Sequence, residues 1–415
     1  MNSSPTSSEP PLRSVVSTSA LAAGVPESLW TRAFLRVCLI QVTFGFAFST
    51  FFLLPKFLAQ ELGATPLQIG NVTGVNVFAA VLGIPCLWLA IDRVPRHHLL
   101  VFGTLLGAGA ALGHVWVTEI GPLLYVLRAL QGVAFVTTFN TAATLAVELS
   151  PPQRLSQSLG FFGIASLCTN AAAPALVEPL VQRFGWSLGF EVAAAFALIA
   201  AWLSMKIAEP KAPRAHAPVE RRALLDRRAV TIYYASALTG LGFGTLITYA
   251  QPFALSLGAS AVSQLFVGYA GAAVAVRIVL GSLADRIGRR VVALASLVLY
   301  GLVLLVTARL EPSWLFGIGL GLGVAHGLLY PSLNALLVES TPVAARGVVM
   351  ITYNGAFNLG FAVSVVSFGA VAEVTGYPSV FLVAGLAIFS GAAALALLPA
   401  AARATHDQQS VPPRR

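Results

Sequence analysis

Charged residues are scarce in this chain of 415 residues, where they make up only 10% of the sequence. In soluble domains roughly a quarter of the residues are charged. Apolar residues amount to 57% of the chain, and the mean hydropathy is +0.81. A soluble protein of this length could not bury so much apolar surface, so the composition predicts a protein whose solvent is largely lipid.

Cysteine is also rare, since the chain has only three and no pair of them shows the spacing of a metal site. Cys38, Cys86 and Cys168 all fall inside apolar segments, which predicts buried free thiols and no disulfide. The net charge of +9 does not indicate nucleic-acid binding, because the arginines cluster in short connections between apolar segments and not on an exposed domain.

The motifs of an enzyme are missing as well. The sequence shows no nucleophile with a base, no metal cluster, no cofactor motif and no phosphate-binding loop of the form GxxxxGKS or GxxxxGKT. We therefore predict a protein that is not an enzyme and holds neither a cofactor nor a metal. Its energy is expected to come from an ion gradient or from the gradient of its own substrate.

Twelve apolar segments are long enough to cross a membrane as helices, which takes about 20 residues each. They lie at 34–55, 68–91, 98–118, 121–149, 157–180, 187–207, 231–252, 265–284, 291–308, 314–339, 347–372 and 379–399. The predicted fold class is therefore an all-α membrane protein with twelve transmembrane helices.

A basic linker divides these segments into two groups of six. The predicted units are a disordered cytoplasmic tail (1–30), an N-terminal six-helix half (31–207), the cytoplasmic linker (208–230), a C-terminal six-helix half (231–399) and a second cytoplasmic tail (400–415). The first tail is rich in Ser, Pro and Thr, a composition that cannot bury a core.

The basic residues orient the bundle. With the N-terminus inside, Lys56, Arg183 and Arg309 fall outside, Arg128 and Arg277 fall within spans, and the other 20 of the 25 basic residues are cytoplasmic. The positive-inside rule therefore predicts an integral protein of the cytoplasmic (inner) membrane with both termini in the cytoplasm.

In this orientation none of the sixteen acidic residues lies deep inside a span. Glu119, Glu178 and Glu191 fall near outer ends, and Glu148 and Glu339 fall at inner ends. A buried carboxylate that binds a cation or relays a proton is therefore not expected, and the interior of the bundle is predicted to be neutral to positive.

Landmarks of the first half recur in the second half at nearly one offset. The pairs are Asp92 and Asp285, Glu148 and Glu339, Gly185 and Gly376, and Phe190 and Phe381, which are 191 to 193 residues apart. The repeated offset indicates an internal repeat of six helices, so the two halves are predicted to be pseudo-symmetric.

The connection between the eighth and ninth spans reads GSLADRIGRR, from Gly281 to Arg290. This string resembles the signature loop of the major facilitator superfamily of transporters, and the chain from about residue 34 to 399 resembles the sugar- and drug-efflux permeases of that superfamily. The resemblance implies two parallel six-helix repeats with a substrate site between them, near the middle of the membrane.

The same loop is implied to form a cytoplasmic gate. Its second-half residues are Gly281, Asp285, Arg286, Gly288, Arg289 and Arg290, and the weaker first-half copy, WLAIDRVPRH, retains Asp92, Arg93 and Arg96. Because Glu148 and Glu339 lie at the same depth, we predict that Glu148 pairs with Arg93 or Arg96. Glu339 should likewise pair with Arg286 or Arg289. Asp92 is expected to cap the eleventh helix near Gly347, and Asp285 the fifth near Ser156.

The fourth span contains RALQG, from Arg128 to Gly132, which resembles a motif whose arginine is associated with substrate binding or proton coupling in the superfamily. Arg128, Gln131 and Phe135 share one helical face by their i, i+3, i+7 spacing. An arginine inside a span is costly, so it should face a cavity or a partner. In the alternative, Arg128 extends to the water at the outer interface.

Other polar residues inside the second half complete the candidate site. Arg277 is either a substrate or coupling residue or a packing support for the gate. His326 can carry a proton near neutral pH or serve as a structural hydrogen-bonding group. The remaining candidates are Tyr330 and Asn334 on the helix of His326, and Asn354 and Asn358 on the eleventh span, whose amides can also join helices.

These features predict a secondary active transporter that moves a small neutral or anionic organic molecule by alternating access. Efflux coupled to protons is the predicted mode. An uptake symporter or facilitator of the same fold is the first alternative, and a membrane sensor that no longer transports is the second. The expected partners are the small-molecule substrate, the lipid bilayer and protons, the expected state is a monomer, and no nucleic acid is expected.

Overall fold

The computed structural model describes residues 29–91, 93–151, 154–207, 225–280, 283–339, 341 and 345–398. The predictions for both tails, for most of the linker and for Asp92 and Gly281 lie outside these residues, as does the side chain of Asp285.

The described residues form twelve long helices, one at each predicted span. These are α1 (Arg32–Gln60), α2 (Pro66–Ile91), α3 (Arg96–Gly113), α4 (Pro122–Glu148), α5 (Leu155–Phe184), α6 (Trp186–Ser204), α7 (Arg227–Ser256), α8 (Ser263–Val279), α9 (Arg289–Thr307), α10 (Leu315–Glu339), α11 (Arg346–Thr375) and α12 (Tyr377–Ala396). Eleven of them are long and apolar enough to cross a membrane, and α8 is a shorter apolar helix. The predicted fold class is confirmed.

Several helices differ from the predicted bounds by a few residues, and two of these differences change the shape of the chain. The first span continues five residues beyond its predicted end at residue 55, because a 3₁₀ turn at Phe51–Leu53 leads directly into the helical segment Leu54–Gln60. Pro55 stands in the first turn of that segment, where its missing N–H costs nothing. The eighth span stops at Val279 rather than at residue 284, and a separate short helix follows at Leu283–Ile287.

The internal repeat is visible in the geometry of the chain. Both α5 and α11 have 30 residues, and each is followed at once by the next helix through a single glycine. Gly185 has φ 88° and ψ 165°, and Gly376 has φ 83° and ψ 163°. A side chain would be strained at this positive φ, so the same sharp link between helices requires glycine in both halves.

The two halves meet along two helix pairs, α2 with α11 and α5 with α8. We call the end of the bundle with the α2–α3 and α8–α9 connections the basic end, because these connections carry the arginine clusters. The opposite end, where α1 ends and α2 begins, is the far end. Close approaches between α2 and α11 at Gly70, Gly74 and Gly369 lie toward the far end.

Within the C-terminal half, α7 and α11 cross in backbone contact. A Cβ atom added to Gly360 would lie 1.7 Å from the carbonyl oxygen of Ala237, and one added to Gly240 would lie 1.9 Å from that of Phe357. The two glycines therefore set the spacing of the helices that carry part of the central cavity wall.

Candidate functional site

A cavity of about 70 Å³ lies between the two halves. Its lining comes from five helices of both halves: Phe48, Phe51, Phe52, Leu54 and Pro55 on α1, Thr73, Asn76 and Val77 on α2, Arg128 on α4, Phe243, Ile247 and Thr248 on α7, and Phe361 on α11. Five phenylalanine rings dominate the wall, and one cation stands in it. A wall with few polar groups among apolar ones is typical of small-molecule sites.

Arg128 is directed into the bundle and not toward the water at the far interface. The residue is only 5% exposed and lines the cavity. Its Nη1 donates to Gln131 Oε1 at 2.6 Å, its Nε donates to the carbonyl oxygen of Val72 at 3.5 Å, and its own carbonyl accepts from Asn76 Nδ2 at 3.3 Å. None of the ion pairs among the described residues includes Arg128, so its charge meets only neutral acceptors.

Close contact between α2 and α4 holds this arginine in place. A Cβ atom at Gly132 would lie 2.1 Å from the carbonyl oxygen of Asn76, so the two backbones approach as only glycine allows. This approach brings the carbonyl groups of α2 within reach of the guanidinium. The glycine that follows Gln131 in the RALQG string therefore has a packing role beside the arginine.

Two buried hydroxyl groups in the same cavity have no hydrogen-bond partner in the part of the chain that the structure describes. They are Thr73 Oγ1 on α2 and Thr248 Oγ1 on α7, one from each half. Buried polar atoms are normally paired, so two orphans beside a cation mark a place where a ligand can supply hydrogen bonds. Neither threonine stands out in the sequence, because a threonine in an apolar helix normally bonds to its own backbone.

Phe135, the third residue predicted on the Arg128 face, lies among aromatic rings. It stacks on Phe48 at 4.2 Å between ring centroids and on Phe139 at 5.4 Å. Phe48 is itself part of the cavity wall, so Phe135 supports the wall from behind and does not line it.

His326 is buried in an aromatic cluster of the C-terminal half. Its ring centroid lies 5.1 Å from that of Phe243, which belongs to the cavity wall, and 5.9 Å from that of Phe357. The rings of Tyr269, Tyr300 and Tyr330 lie 6.1 to 6.2 Å away. Among the described residues His326 Nδ1 has no hydrogen-bond partner, and none of the ion pairs includes His326.

The other predicted polar residues of the second half divide into two groups. Tyr330 donates to Asn354 Oδ1 at 2.7 Å, which joins α10 to α11. Arg277 Nη1 lies 3.3 Å from the position that a Cβ atom on Gly163 of α5, in the other half, would occupy. Asn334 and Asn358 are half-buried, and neither contributes to the cavity wall described above.

At the basic end, both predicted ion pairs are present. Arg96 Nη2 lies 2.6 Å from Glu148 Oε1, and Arg289 Nη1 lies 2.5 Å from Glu339 Oε1. Each pair joins the start of one helix to the end of the helix after it, at equivalent places in the two halves. The ion-pair prediction is confirmed by these distances.

The remaining gate residues have different environments. Arg290 donates to the carbonyl oxygens of Ala396 and Leu398, so it caps the end of α12 within its own half. Gly288, at φ 102°, forms the turn into α9, and Arg93 and Arg286 are exposed. The two predicted aspartate caps involve Asp92 and the side chain of Asp285, which lie outside the described residues.

The prediction that no carboxylate is buried is wrong for Glu178 in α5. Glu178 is 2% exposed, and its Oε1 lies 2.5 Å from Nζ of Lys56 in α1, which is also buried. The prediction failed because it judged depth along the helix alone. A residue near a helix end is still buried when the neighbouring half covers it.

Over the described ranges, every hydrogen bond between the halves lies toward the far end. Gln251 Nε2 on α7 donates to the carbonyl oxygen of Phe52 at 2.7 Å. The backbone N–H of Leu67 donates to Glu373 Oε2 at 3.1 Å. The others join Lys56, Glu178 and Gln182 to the turn before α8. The halves are thus closed against each other at the far end.

Twelve apolar helices in two related halves, with a buried guanidinium in a cavity between them, define a membrane transporter. The chain belongs to the Major Facilitator Superfamily, whose family model matches residues 37–276 and 232–414. The resemblance drawn from the loop sequences is therefore confirmed, and the protein is an integral membrane transporter of this superfamily.

Two relatives show how far the sequence similarity extends. The chain is 27% identical over 363 residues to the uncharacterized MFS-type transporter YhhS of Escherichia coli K12, covering 83% of this chain and 85% of that protein. It is 24% identical over 334 residues to a probable sugar efflux transporter of Mannheimia succiniciproducens, covering 76% and 82%.

Solved structures share the fold at low sequence identity. The nucleoside transporter NupG matches with a TM-score of 0.72 at 15% identity, over 88% of this chain and 98% of that one. A bacterial homologue of the human lysosomal transporter Spinster, in an inward-facing and unoccupied conformation, matches with a TM-score of 0.69 at 13% identity, over 89% and 97%.

Proposed function

We propose that this protein is a secondary active transporter that exports a small, neutral or anionic, amphipathic organic molecule by alternating access, with coupling to protons. It works as a monomer in the cytoplasmic membrane. The basic end faces the cytoplasm, as the positive-inside rule favours, and both termini are cytoplasmic. In this orientation the structure corresponds to a state that is closed to the outside.

The observation that carries the proposal is the buried charge of Arg128, which has no ion-pair partner among the described residues and lies in a phenylalanine-lined cavity between the halves. A cation that entered this cavity would find no carboxylate in its described wall and would be repelled at low dielectric. An anionic group would gain a charge-assisted, bidentate partner. A neutral molecule with hydroxyl groups would satisfy Thr73 and Thr248.

The named relatives are compatible with this substrate class. One relative is named as a probable sugar efflux transporter, and one fold neighbour is a nucleoside transporter. Both names refer to molecules that carry several hydroxyl groups and no cationic group. The export direction of this chain is inferred from the named efflux relative, and uptake by the same fold is the alternative.

We expect transport to discriminate by charge. Purified protein in liposomes should move planar organic anions or neutral molecules, such as a fluorescein-type dye, and should not move ethidium. Everted and right-side-out vesicles that contain the protein should differ, with concentrative uptake of the dye only into everted vesicles. Robust export of ethidium would contradict the charge argument, accumulation in right-side-out vesicles would indicate uptake, and no movement of any probe would favour the sensor alternative.

The His326→Gln variant should lose dependence on a pH gradient while keeping exchange of substrate down its own gradient. His326 is the residue that we assign to proton coupling, because it is buried against Phe243 of the cavity wall and its Nδ1 is unpaired among the described residues. Histidine is the side chain that ordinarily changes charge near neutral pH. The measurement is dye flux with and without an imposed pH gradient.

The matched control for this variant is His98→Gln, an exposed histidine on α3 at the basic end. It should keep full gradient dependence. Gradient-driven transport that survives in His326→Gln would remove the coupling role from His326 and would leave the substrate assignment intact.

A further inference from the structure

Glu178 and Lys56 form a buried ion pair that the substrate site does not use. Both residues belong to the N-terminal half, and their side chains are only 2% and 4% exposed. Ion pairs taken out of water contribute little net stability, while loss of one partner leaves an expensive buried charge. Folding alone thus gives little reason to place both charges here, so their contacts with the other half are informative.

All of these contacts converge on one turn of the C-terminal half, the segment 260–263 that leads into the first residue of α8. Glu178 accepts from the backbone N–H of Val262 at 2.8 and 3.0 Å and from that of Ser263 at 2.7 Å. Lys56 Nζ donates to the carbonyl oxygen of Ser260 at 3.2 Å, and Gln182 Nε2 donates to the same oxygen at 2.7 Å.

The start of α8 needs these contacts because its own sequence supplies no cap. Val262 stands at the N-cap position and its side chain cannot accept a hydrogen bond. The first N–H groups of a helix lack partners within the helix and carry a partial positive charge, which favours a carboxylate. Glu178 therefore caps α8 from the opposite half of the molecule.

We propose that Glu178, held in place by Lys56, is the gate residue that keeps the halves closed at the far end. When that end opens, all of its bonds to the 260–263 turn must break together, whereas the Lys56–Glu178 pair stays within its own half. Glu178 thus acts on the transport cycle by holding the two halves together and not by touching the substrate. This inference rests on the proposed orientation, in which the far end faces outward.

The test measures far-end opening without any substrate. Cys38, Cys86 and Cys168 are replaced by serine, and a reporter cysteine is placed at Val77 in the cavity wall. Right-side-out vesicles are treated with a membrane-impermeant maleimide. Glu178→Gln should label about tenfold faster than the parent, a shift of about 1.4 kcal/mol in the opening equilibrium. The same labelling in everted vesicles of both proteins reports separately whether the far end faces outward.

A series of graded substitutions distinguishes loss of the gate contact from a general loss of structure. Lys56→Met should accelerate labelling less than Glu178→Gln, because the carboxylate remains on the N–H groups of α8. Glu178→Asp keeps the charge and should restore slow labelling in part. Glu191→Gln, an exposed carboxylate on α6, is the matched control and should label at the parental rate.

Parental labelling of a monodisperse Glu178→Gln protein would overturn the proposal. If this variant does not fold, the labelling rate of Gln182→Ala tests the proposal instead. Gln182 is exposed, and its replacement removes only one hydrogen bond to Ser260. It should still accelerate labelling by a smaller factor, and an unchanged rate would overturn the proposal. Because no substrate is used, failure here leaves the proposed transport function standing.

Discussion

Replacement of Arg128 by glutamine is expected to lower the apparent affinity for anionic substrates by about 30-fold or more. Truncating one member of a buried, hydrogen-bonded charge pair costs about 2–5 kcal/mol, and each 1.4 kcal/mol is a factor of ten. The guanidinium is the cation that lines the described cavity wall, so the chain offers an anion no substitute there. The apparent affinity for neutral substrates should fall less, because these substrates lose only hydrogen bonds to the guanidinium.

The same variant should fold at least as well as the parent. Among the described residues Arg128 pairs only with the neutral acceptors Gln131 and Val72, so its removal takes a charge without a counter-charge there out of the membrane interior. Loss of transport together with an unchanged or higher Tm would identify a functional residue, since a structural one would lower both. Arg128→Lys keeps the charge without the planar fork and should retain part of the affinity.

The matched control is Arg309→Gln, an exposed arginine at the far end. It should transport anions with parental KM. The measurement is the concentration dependence of dye flux in liposomes, with Tm determined on the same preparations. Parental KM for anions in Arg128→Gln would contradict the assignment of the binding site.

Gly360→Ala is expected to give the largest loss of stability for a single added methyl group. The new Cβ would lie 1.7 Å from the carbonyl oxygen of Ala237, and a backbone atom cannot rotate away as a side chain can. Helices α7 and α11 would have to move apart. Overpacking lowers the free energy of unfolding by about 1–3 kcal/mol, occasionally more, and we expect the loss for Gly360→Ala to lie at the upper end of this range.

Gly355→Ala is the matched control on the same helix, because nothing lies within 4 Å of the position of its Cβ. Alanine favours a helix over glycine by about 1 kcal/mol, so this variant should be as stable as the parent or slightly more stable. Thermal unfolding of the purified proteins in detergent compares them. Equal Tm values for both variants would show that α7 and α11 do not cross in backbone contact.

The pattern of apolar residues predicted the architecture because lipid imposes a simple rule. Every backbone polar group inside a membrane must be satisfied within its own segment, so each long apolar stretch becomes a helix. The twelve spans and the repeat around Gly185 and Gly376 followed from spacing alone. Depth in the membrane limited the partners of Glu148 and Glu339 to two arginines each, and the structure selected Arg96 and Arg289. The position of Arg128 within a span also predicted that its side chain faces a cavity or a partner and not the lipid.

Contacts between the halves were decided only by the tertiary structure. Thr248 is indistinguishable in sequence from the many threonines that bond to their own helix, and Glu178 resembles any acid near a helix end. Both become informative only in the folded bundle, where Thr248 Oγ1 has no partner among the described residues and Glu178 accepts from the N–H groups at the start of α8. Periodicity along one chain segment reports which face is apolar, but not which distant backbone group that face will meet.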